Sequence, residues 1–201
     1  MHDASHLEVR GSLARRPLSW LLCGALAGAA IAFASSAVLH ATPAAPGGPT
    51  YPPLRALDHD EGVLFLNDEH SHLLGIRDRL TLLRQMAVLG CNGLISQSLS
   101  TRLDRFAQAG VDDIDSSASA TTWRGVPYLD GTIRELGIAR VQGGSDYLVT
   151  RVEEMTANSL GIEWISLADS YSAGEALVHL DGAIDIVDEQ LAAIEGDLLQ
   201  L

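Results

Sequence analysis

The sequence predicts a mainly α-helical fold with a small β-hairpin region, arranged as an elongated bundle or rod and preceded by an N-terminal apolar helix. Three observations lead to this fold class. Apolar residues recur at three- and four-residue steps in three runs, over 68–90, 98–116 and 173–201. Short alternating segments with glycine-rich turns lie between the second and third runs. Near the front, residues 20–39 carry no charge and are long enough to form a separate helix.

The apolar stretch 20–39 is the first element along the chain, and Arg15 and Arg16 precede it. Arginines on this flank favour an N-terminus that stays in the cytoplasm while the rest of the chain crosses the membrane. We therefore expect residues 1–19 to be a cytoplasmic tail and residues 20–39 a transmembrane anchor. A cleaved signal segment has the same order of charged and apolar parts. A translation start placed too far upstream is a third explanation.

A proline-rich linker, residues 40–55, separates this stretch from the folded domain. Five prolines fall within residues 41–53, and such a density keeps a chain extended instead of helical or paired in a sheet. The folded domain is therefore expected to cover residues 56–201.

The expected domain is strongly acidic. The chain has 13 basic residues, all arginine, and 26 acidic residues; four of these arginines and two of the acids precede residue 56. Residues 56–201 therefore carry nine arginines, 24 acids and a net charge of −15. A domain with this charge does not attract phosphate backbones, which excludes nucleic acid as a partner.

The three amphipathic runs give the predicted helices. The first begins near Asp68 and ends at Gly90 or Gly93, where glycine suits a helix end. The second covers about 98–116, with Ser96 or Ser98 as a possible N-cap. The third runs from about Ala173 to the end of the chain.

Short strands are predicted between the second and third helices. The segment VPYLDGT (126–132) predicts a strand and an Asp-Gly turn. Residues 138–143 alternate in the manner of a strand, Leu148, Thr150 and Val152 fit a returning strand, and 143–146 are a turn signal between them. Residues 163–172 are expected to be irregular. The hairpin is placed at one end of the rod.

Histidines and carboxylates cluster near the start of the domain, in DHDE (58–61) and DEHSH (68–72). A metal site on a helix is poorly formed there because His70 and His72, two residues apart, do not share a face. We interpret the cluster, including His59, as the solvated acidic start of a helix. Asp112, Asp113 and Asp115 lack the glycine and the spacing of a calcium loop.

The sequence shows no pattern of a catalytic protein. It contains no nucleophile elbow, phosphate loop or dinucleotide fingerprint. The two cysteines, Cys23 and Cys91, are not expected to pair, since Cys23 lies in the apolar stretch. Cys91 is interpreted as a small residue at a helix end and not as a reactive thiol. We therefore expect no enzyme activity, cofactor or metal; a hydrolase or metal protein built on the histidine cluster is a minor alternative.

Four segments, read in chain order, resemble bacterial flagellin, specifically its rod-forming inner domain. LRQMAVLGCNG (83–93) resembles the end of a flagellin helix, and IDSSASATTWRGVPYLDG (114–131) resembles the run that leads from a helix into a strand. Residues 140–162 resemble the following hairpin, and residues 176–201 resemble the C-terminal helix. The positions that carry the resemblance as a structural motif are Arg84, Ile114, Asp115, Thr121, Trp123, Gly125, Val126, Leu177, Asp181 and Ile184.

The resemblance implies a non-catalytic structural protein of the bacterial flagellar filament family, with coiled-coil-like helices and a role in motility. Its partners would be other flagellin-like subunits, through self-association or co-assembly, and the membrane through residues 20–39. Its location would be the flagellum or the cell exterior, with the domain secreted or anchored outside the cytoplasm. Trp123 would plug the top of the rod, and Gly125 would let the chain bend into the hairpin.

The chain also departs from the flagellin pattern. Arg124 stands where the family has asparagine, and we find no terminal helical arms of the kind that form the inner tube of a filament. We therefore expect the domain alone to stay monomeric or to form small oligomers. The alternative function is a membrane-tethered or exported binding or adhesion module that keeps the fold without polymerising.

Overall fold

A computed structural model describes residues 56–201, and three long helices make up most of this part. They are α1 (His59–Gly90), α2 (Gln97–Ala120) and α3 (Ser170–Leu198). Four short strands lie between α2 and α3: β1 (Thr122–Trp123), β2 (Val126–Pro127), β3 (Glu135–Ala139) and β4 (Tyr147–Arg151). The expected tail (1–19), anchor or signal (20–39) and linker (40–55) lie outside the described residues. No helix within 56–201 is both long and apolar enough to cross a membrane.

Helix α1 begins nine residues earlier than the predicted start near Asp68. The Asp58 side chain caps it by accepting a hydrogen bond from the Glu61 backbone N at 2.9 Å. Asp60 and Glu61 occupy the first turn, where negative charge is favourable beside the helix dipole. The prediction was wrong because the buried face of this first part includes Gly62, which interrupts the apolar pattern.

The other two helices also differ from the prediction at their ends. Ser96 caps α2, and the helix continues past Ser116 to Ala120 because Ala118 is buried in the core. Asp169 caps α3 by accepting from the backbone N of Tyr171 and of Ser172, both at 2.9 Å, so this helix starts three residues before the predicted Ala173. It ends at Leu198 instead of Leu201.

Helix α1 packs against both of the other long helices, whereas α2 and α3 make little direct contact. Both pairs are antiparallel. Arg77 and Asp188 join α1 to α3 with an Nε–Oδ1 distance of 2.5 Å, and Arg79 and Asp113 join α1 to α2 with an Nε–Oδ2 distance of 2.5 Å. The α1–α2 approach is close at Gly110, where a Cβ atom would lie 2.7 Å from a methyl carbon of Leu83.

A long irregular segment, residues 152–169, runs antiparallel to α2 and closes the core. It is longer than the predicted irregular region of 163–172. Its buried side chains face the same core as the helices: Val152, Met155, Ala157, Leu160, Ile162, Ile165 and Leu167. Polar side chains of α2 bind its backbone: Asp115 accepts from Ala157 N (2.6 Å), Gln108 donates to Ile165 O (2.6 Å), Asp104 accepts from Leu167 N (2.8 Å), and Ser100 donates to Leu167 O (3.1 Å).

Strands β3 and β4 form an antiparallel hairpin with Glu135 opposite Arg151 and Ala139 opposite Tyr147. The predicted continuation of the first strand to residue 143 is wrong, because β3 ends at Ala139 and the chain then turns. Leu57 adds a parallel bridge on the other side of β3, with its N donating to Gly137 O at 2.8 Å.

This hairpin lies against the first turns of α1. A Cβ on Gly62 would lie only 2.0 Å from a methyl carbon of Ile138, so the glycine allows the close approach. Strands β1 and β2 form a second hairpin of two residues each, and the strand predicted before the Asp130-Gly131 turn is reduced to Val126–Pro127. The described part is thus mainly helical, with two small antiparallel hairpins.

Candidate functional site at the helix-to-hairpin joint

The joint between α2 and the strands contains the largest share of the sequence motif. Thr121 is the C-cap residue that follows α2, and its Oγ1 donates to Ser117 O at 2.7 Å. The two residues that connect β1 to β2 both have positive φ angles, 52° for Arg124 and 80° for Gly125. Two successive positive φ angles are typical of the tight hairpin turn that favours Asn-Gly. Arg124 therefore occupies a backbone conformation that asparagine adopts more readily.

An ion pair accompanies this unusual arginine. The Arg124 guanidinium donates to a carboxylate oxygen of Glu61, in the first turn of α1. This ion pair joins the β1–β2 turn to α1, the helix that packs against both of the other long helices. An asparagine at position 124 is too short to span the same distance, so the arginine gains a tertiary contact while it loses local backbone preference.

Three aromatic rings meet beneath this turn. The ring of Phe65, in α1, lies 5.4 Å from that of Trp123 in an edge-to-face arrangement and 5.1 Å from that of Tyr128. Such geometries are the favourable ones for aromatic pairs. Phe65 and Tyr128 have no exposed surface, whereas Trp123 is only partly buried at the edge of the core. The Trp123 indole N–H is itself buried and has no hydrogen-bond partner among the described residues.

The structure therefore places Trp123 beside the aromatic core, while Phe65 and Tyr128 fill its interior. Sequence reasoning missed both. Phe65 precedes the predicted start of α1, and Tyr128 was assigned to a strand. The sequence shows the aromatic residues at 65, 123 and 128. It does not show that their rings meet, because this contact requires α1 to start before residue 65.

A chain of polar groups continues from Tyr128 along the surface. The Tyr128 hydroxyl donates to Asp68 Oδ2 at 2.8 Å. Burial, followed by the hydrogen bond to Asp68, raises the pKa of this hydroxyl, which therefore stays protonated. Asp68 Oδ1 lies 3.7 Å from His72 Nε2, and His72 Nδ1 lies 3.5 Å from Thr121 Oγ1.

These groups border a groove of about 520 Å³ between α1 and α2, whose lining includes Asp68, His72, Arg79, Ser117 and Thr121. Carboxylate, imidazole and hydroxyl follow one another here in the order of a catalytic triad. Both distances to the imidazole exceed ordinary hydrogen bonds. The Thr121 side chain is buried, and its hydroxyl proton is used in the bond to Ser117 O.

The structure does not bring His59, His70 and His72 together. His59 contacts Asp60 and the backbone oxygen of Leu201, and the hydrogen bond to Asp60 raises its pKa. His70 lies 3.6 Å from Glu195 in α3, while His72 faces the groove. Within residues 56–201, no three His, Cys, Asp or Glu side chains are placed to hold a metal ion. Asp113 pairs with Arg79 and Asp115 accepts from Ala157 N, while Asp112 is exposed.

The remaining motif residues lie on the three helices, except for Val126 in β2. Arg84 and Asp181 form an ion pair between α1 and α3, so two positions that are far apart in the sequence meet here. Asp115 holds the irregular segment through Ala157 N. The others are apolar: Ile114 and Val126 are buried, while Leu177 and Ile184 are partly buried against the core.

A second feature lies on the outer surface near the connection from α1 to α2. Leu82, Leu89, Leu94 and Phe106 expose between 53% and 88% of their surface. Leu82 and Leu89 are seven residues apart on α1 and therefore share a face. We call these four residues the turn-end apolar surface. The sequence does not reveal this surface, because apolar periodicity predicts the buried face of a helix and not the apolar side chains that stay exposed.

The charge around this surface differs from that of the rest of the domain. Between Asp78 and Asp104 the sequence contains no acidic residue. Arg102 and Arg105 are exposed on α2 and have no ion pair within the described part of the chain. Large apolar side chains that stay exposed near one end of a domain are candidates for contacts with another protein.

Comparison with known proteins identifies the fold. No protein-family model and no curated protein matches the sequence. Among solved structures, Bacillus cereus flagellin matches with a TM-score of 0.63 and 22% identity, covering 71% of this chain and 85% of that chain. FliC from Burkholderia pseudomallei matches with a TM-score of 0.55 and 13% identity, covering 70% of this chain and all of the other, 100%. The chain therefore has a flagellin-like fold, which confirms the resemblance found in the sequence.

Proposed function

We propose that this chain is a non-catalytic structural protein that acts as a flagellin-like subunit and contacts other flagellin-like subunits. The observation that carries the proposal is the fold that 71% and 70% of this chain share with the two flagellin structures. The joint supports a structural role as well, because its aromatic core and the Arg124–Glu61 pair fix the strands on α1.

The turn-end apolar surface is the proposed place of contact. Burying four exposed apolar side chains stabilises an interface by an amount that depends on the area removed from water. The neighbouring Arg102 and Arg105 would favour a partner surface with acidic groups. Because the domain carries a net charge of −15, two copies repel each other at low salt. We therefore expect co-assembly with a flagellin to be favoured over polymerisation of this chain alone.

The proposal includes a domain organisation: a cytoplasmic tail (1–19), an anchor or signal (20–39), a linker (40–55) and the folded domain (56–201) outside the cytoplasm. The arginines before residue 20 and the 20 uncharged residues that follow support this topology. Alkaline phosphatase fused after Leu201 should be active in cells. Inactive phosphatase together with a fluorescent cytoplasmic reporter at the same position would contradict the topology.

Co-sedimentation tests the proposed function. The full chain is mixed with monomeric flagellin of the source organism during filament growth, and the filaments are then collected by centrifugation. We expect the chain to pellet with the filaments and the double variant L82D/L89D to remain largely in the supernatant. V149D is the matched control, because Val149 is 65% exposed on β4, outside the turn-end apolar surface. A wild-type chain that stays in the supernatant would contradict the proposal.

The second candidate is a membrane-tethered or exported binding or adhesion module with the same fold. The apolar stretch 20–39 and the linker favour it, since together they would hold the domain near a membrane. In that case the chain would fractionate with membranes and would be absent from purified filaments.

A further inference from the structure

Glu69 lies in the interior of the helical domain, where carboxylates are rarely found. It is in the third turn of α1, its side chain has no exposed surface, and it is the one carboxylate among the described residues that is buried. Its Oε1 accepts a hydrogen bond from Gln190 Nε2, in α3, at 3.0 Å. Its Oε2 is buried and has no hydrogen-bond partner in the described part of the chain.

Gln190 extends this contact to a third element. The same Nε2 donates to the backbone oxygen of Arg151, at the end of β4, at 2.8 Å. One amide group therefore binds a carboxyl group of α1 and a carbonyl of the hairpin at the same time. Gln190 is itself buried. We call this arrangement, made of Glu69, Gln190 and the Arg151 carbonyl, the core polar junction.

We propose that the core polar junction is a pH-sensitive latch, closed around a neutral Glu69 and loosened when Glu69 loses its proton. A neutral carboxyl group still accepts from Gln190 through its carbonyl oxygen, so the link from α1 to α3 and β4 is complete. A carboxylate at the same place has no compensating cation and leaves a charged oxygen buried without a partner, which is costly. The favourable response is to open the junction and admit water.

The charged groups around the junction do not remove this cost. On α3, Asp197 raises the pKa of Glu69 further, and Glu195 faces His70 instead. The guanidinium of Arg151, on β4, is largely exposed and lies beside Glu153, not beside Glu69. Near Glu69 on the other side, Tyr128 is bound to Asp68 and stays neutral. Burial, with a smaller contribution from Asp197 and against the effect of Gln190, raises the pKa of Glu69 to about 7.

The direction of the pH effect follows from the two states of the chain. In the unfolded chain Glu69 has its ordinary pKa of 4.5, whereas in the folded chain it keeps its proton to about pH 7. Between these values the folded state binds more protons, so stability falls as the pH rises. Above about pH 7 both states are deprotonated and the effect is complete. From pH 5 to pH 8 this one group should raise the unfolding constant roughly 70-fold.

The test compares the full chain with E69Q at fixed detergent and salt, by chemical denaturation at several pH values. Gln at position 69 keeps an oxygen acceptor for Gln190 and cannot titrate. We expect the unfolding constant of the wild type, divided by that of E69Q, to rise roughly 70-fold from pH 5 to pH 8. D185N is the control: Asp185 is exposed on α3, and its profile should follow the wild type. Parallel wild-type and E69Q profiles would overturn the proposal.

Infrared spectroscopy of the wild type provides a reading that does not depend on any variant. A buried neutral carboxyl group gives a separate C=O stretching band. We expect that band at pH 5.5 and its loss by pH 9. Hydrogen-exchange protection in 147–151, corrected for the intrinsic rate, should fall over the same interval. A wild-type spectrum without the band at pH 5.5 would overturn the proposal.

Discussion

Gly125, in the turn between β1 and β2, is required by its backbone conformation and not by packing. Gly125 has a φ of 80°, and a Cβ built there meets no atom within 4 Å. A side chain at this position would therefore cause no clash, and its cost would come from the left-handed backbone alone. Gly182 also has open space around it, but it differs in its backbone, because it lies inside α3 with an ordinary helical conformation.

This contrast gives a paired prediction. G125A should lower the free energy of unfolding by about 1–2 kcal/mol, because alanine disfavours a positive φ. G182A should raise it by about 1 kcal/mol, because glycine is a poor residue for a helix interior. Urea denaturation of the two variants measures both effects. Equal changes of the same sign would show that the turn does not require glycine.

The three aromatic residues of the joint should differ in their contributions. Phe65 has no exposed surface and touches both other rings, so F65A should cost about 3–5 kcal/mol. Trp123 is only partly buried, so W123A should cost less, about 2 kcal/mol, since part of the ring already contacts water. Denaturation curves in the same buffer compare them. A larger loss of unfolding free energy for W123A than for F65A would show that Trp123, and not Phe65, contributes most to the packing at this end of the domain.

At the scale of elements, the periodic core of each helix was predictable and the ends of the helices were not. Apolar spacing locates the middle of α1, but the first turns bury Gly62 against Ile138 and Glu69 against Gln190. Neither residue contributes to an apolar pattern. The cap at Asp58 was a usable local signal, because an acidic cap followed by Glu61 is typical of a helix start.

The irregular segment was the least predictable element, for a physical reason. It has no repeating backbone hydrogen bonds, so its position depends on side chains of α2 that are 42 to 68 residues away in the sequence. The alternation of apolar and polar residues along the sequence cannot reveal such contacts. The motif residues Asp115 and Arg84 were identified by resemblance alone, and their partners, Ala157 N and Asp181, became clear only in three dimensions.

The segment should detach locally when its anchors are removed. Asp104 accepts from both Leu167 N and Ser166 Oγ at 2.8 Å. D104A should therefore reduce local stability by about 2 kcal/mol and raise hydrogen exchange in 160–168, while helix content stays unchanged. D112A is the control, since Asp112 is exposed on the same helix. Equal exchange in both variants would show that the apolar side chains alone hold the segment.

At the scale of the whole molecule, α1 is the organising helix. It carries the ion pairs to α2 and α3, receives the hairpin at Gly62, and contributes Phe65 and Glu69 to the interior. Its outward face includes Leu82 and Leu89, at the end where acidic residues are scarce. The strong negative charge elsewhere disfavours contacts between identical copies and leaves this end as the proposed contact with another subunit.

Site-specific photo-crosslinking tests the central claim most directly. Leu89 is replaced by a photoreactive phenylalanine analogue in the full chain, which is then irradiated in the presence of growing flagellin filaments. We expect a crosslinked product containing one copy of this chain and one flagellin subunit, with much less product when the analogue replaces Val149 on β4. No flagellin-containing product at position 89, from a chain that is folded and present during assembly, would contradict the claim that this surface makes subunit contacts.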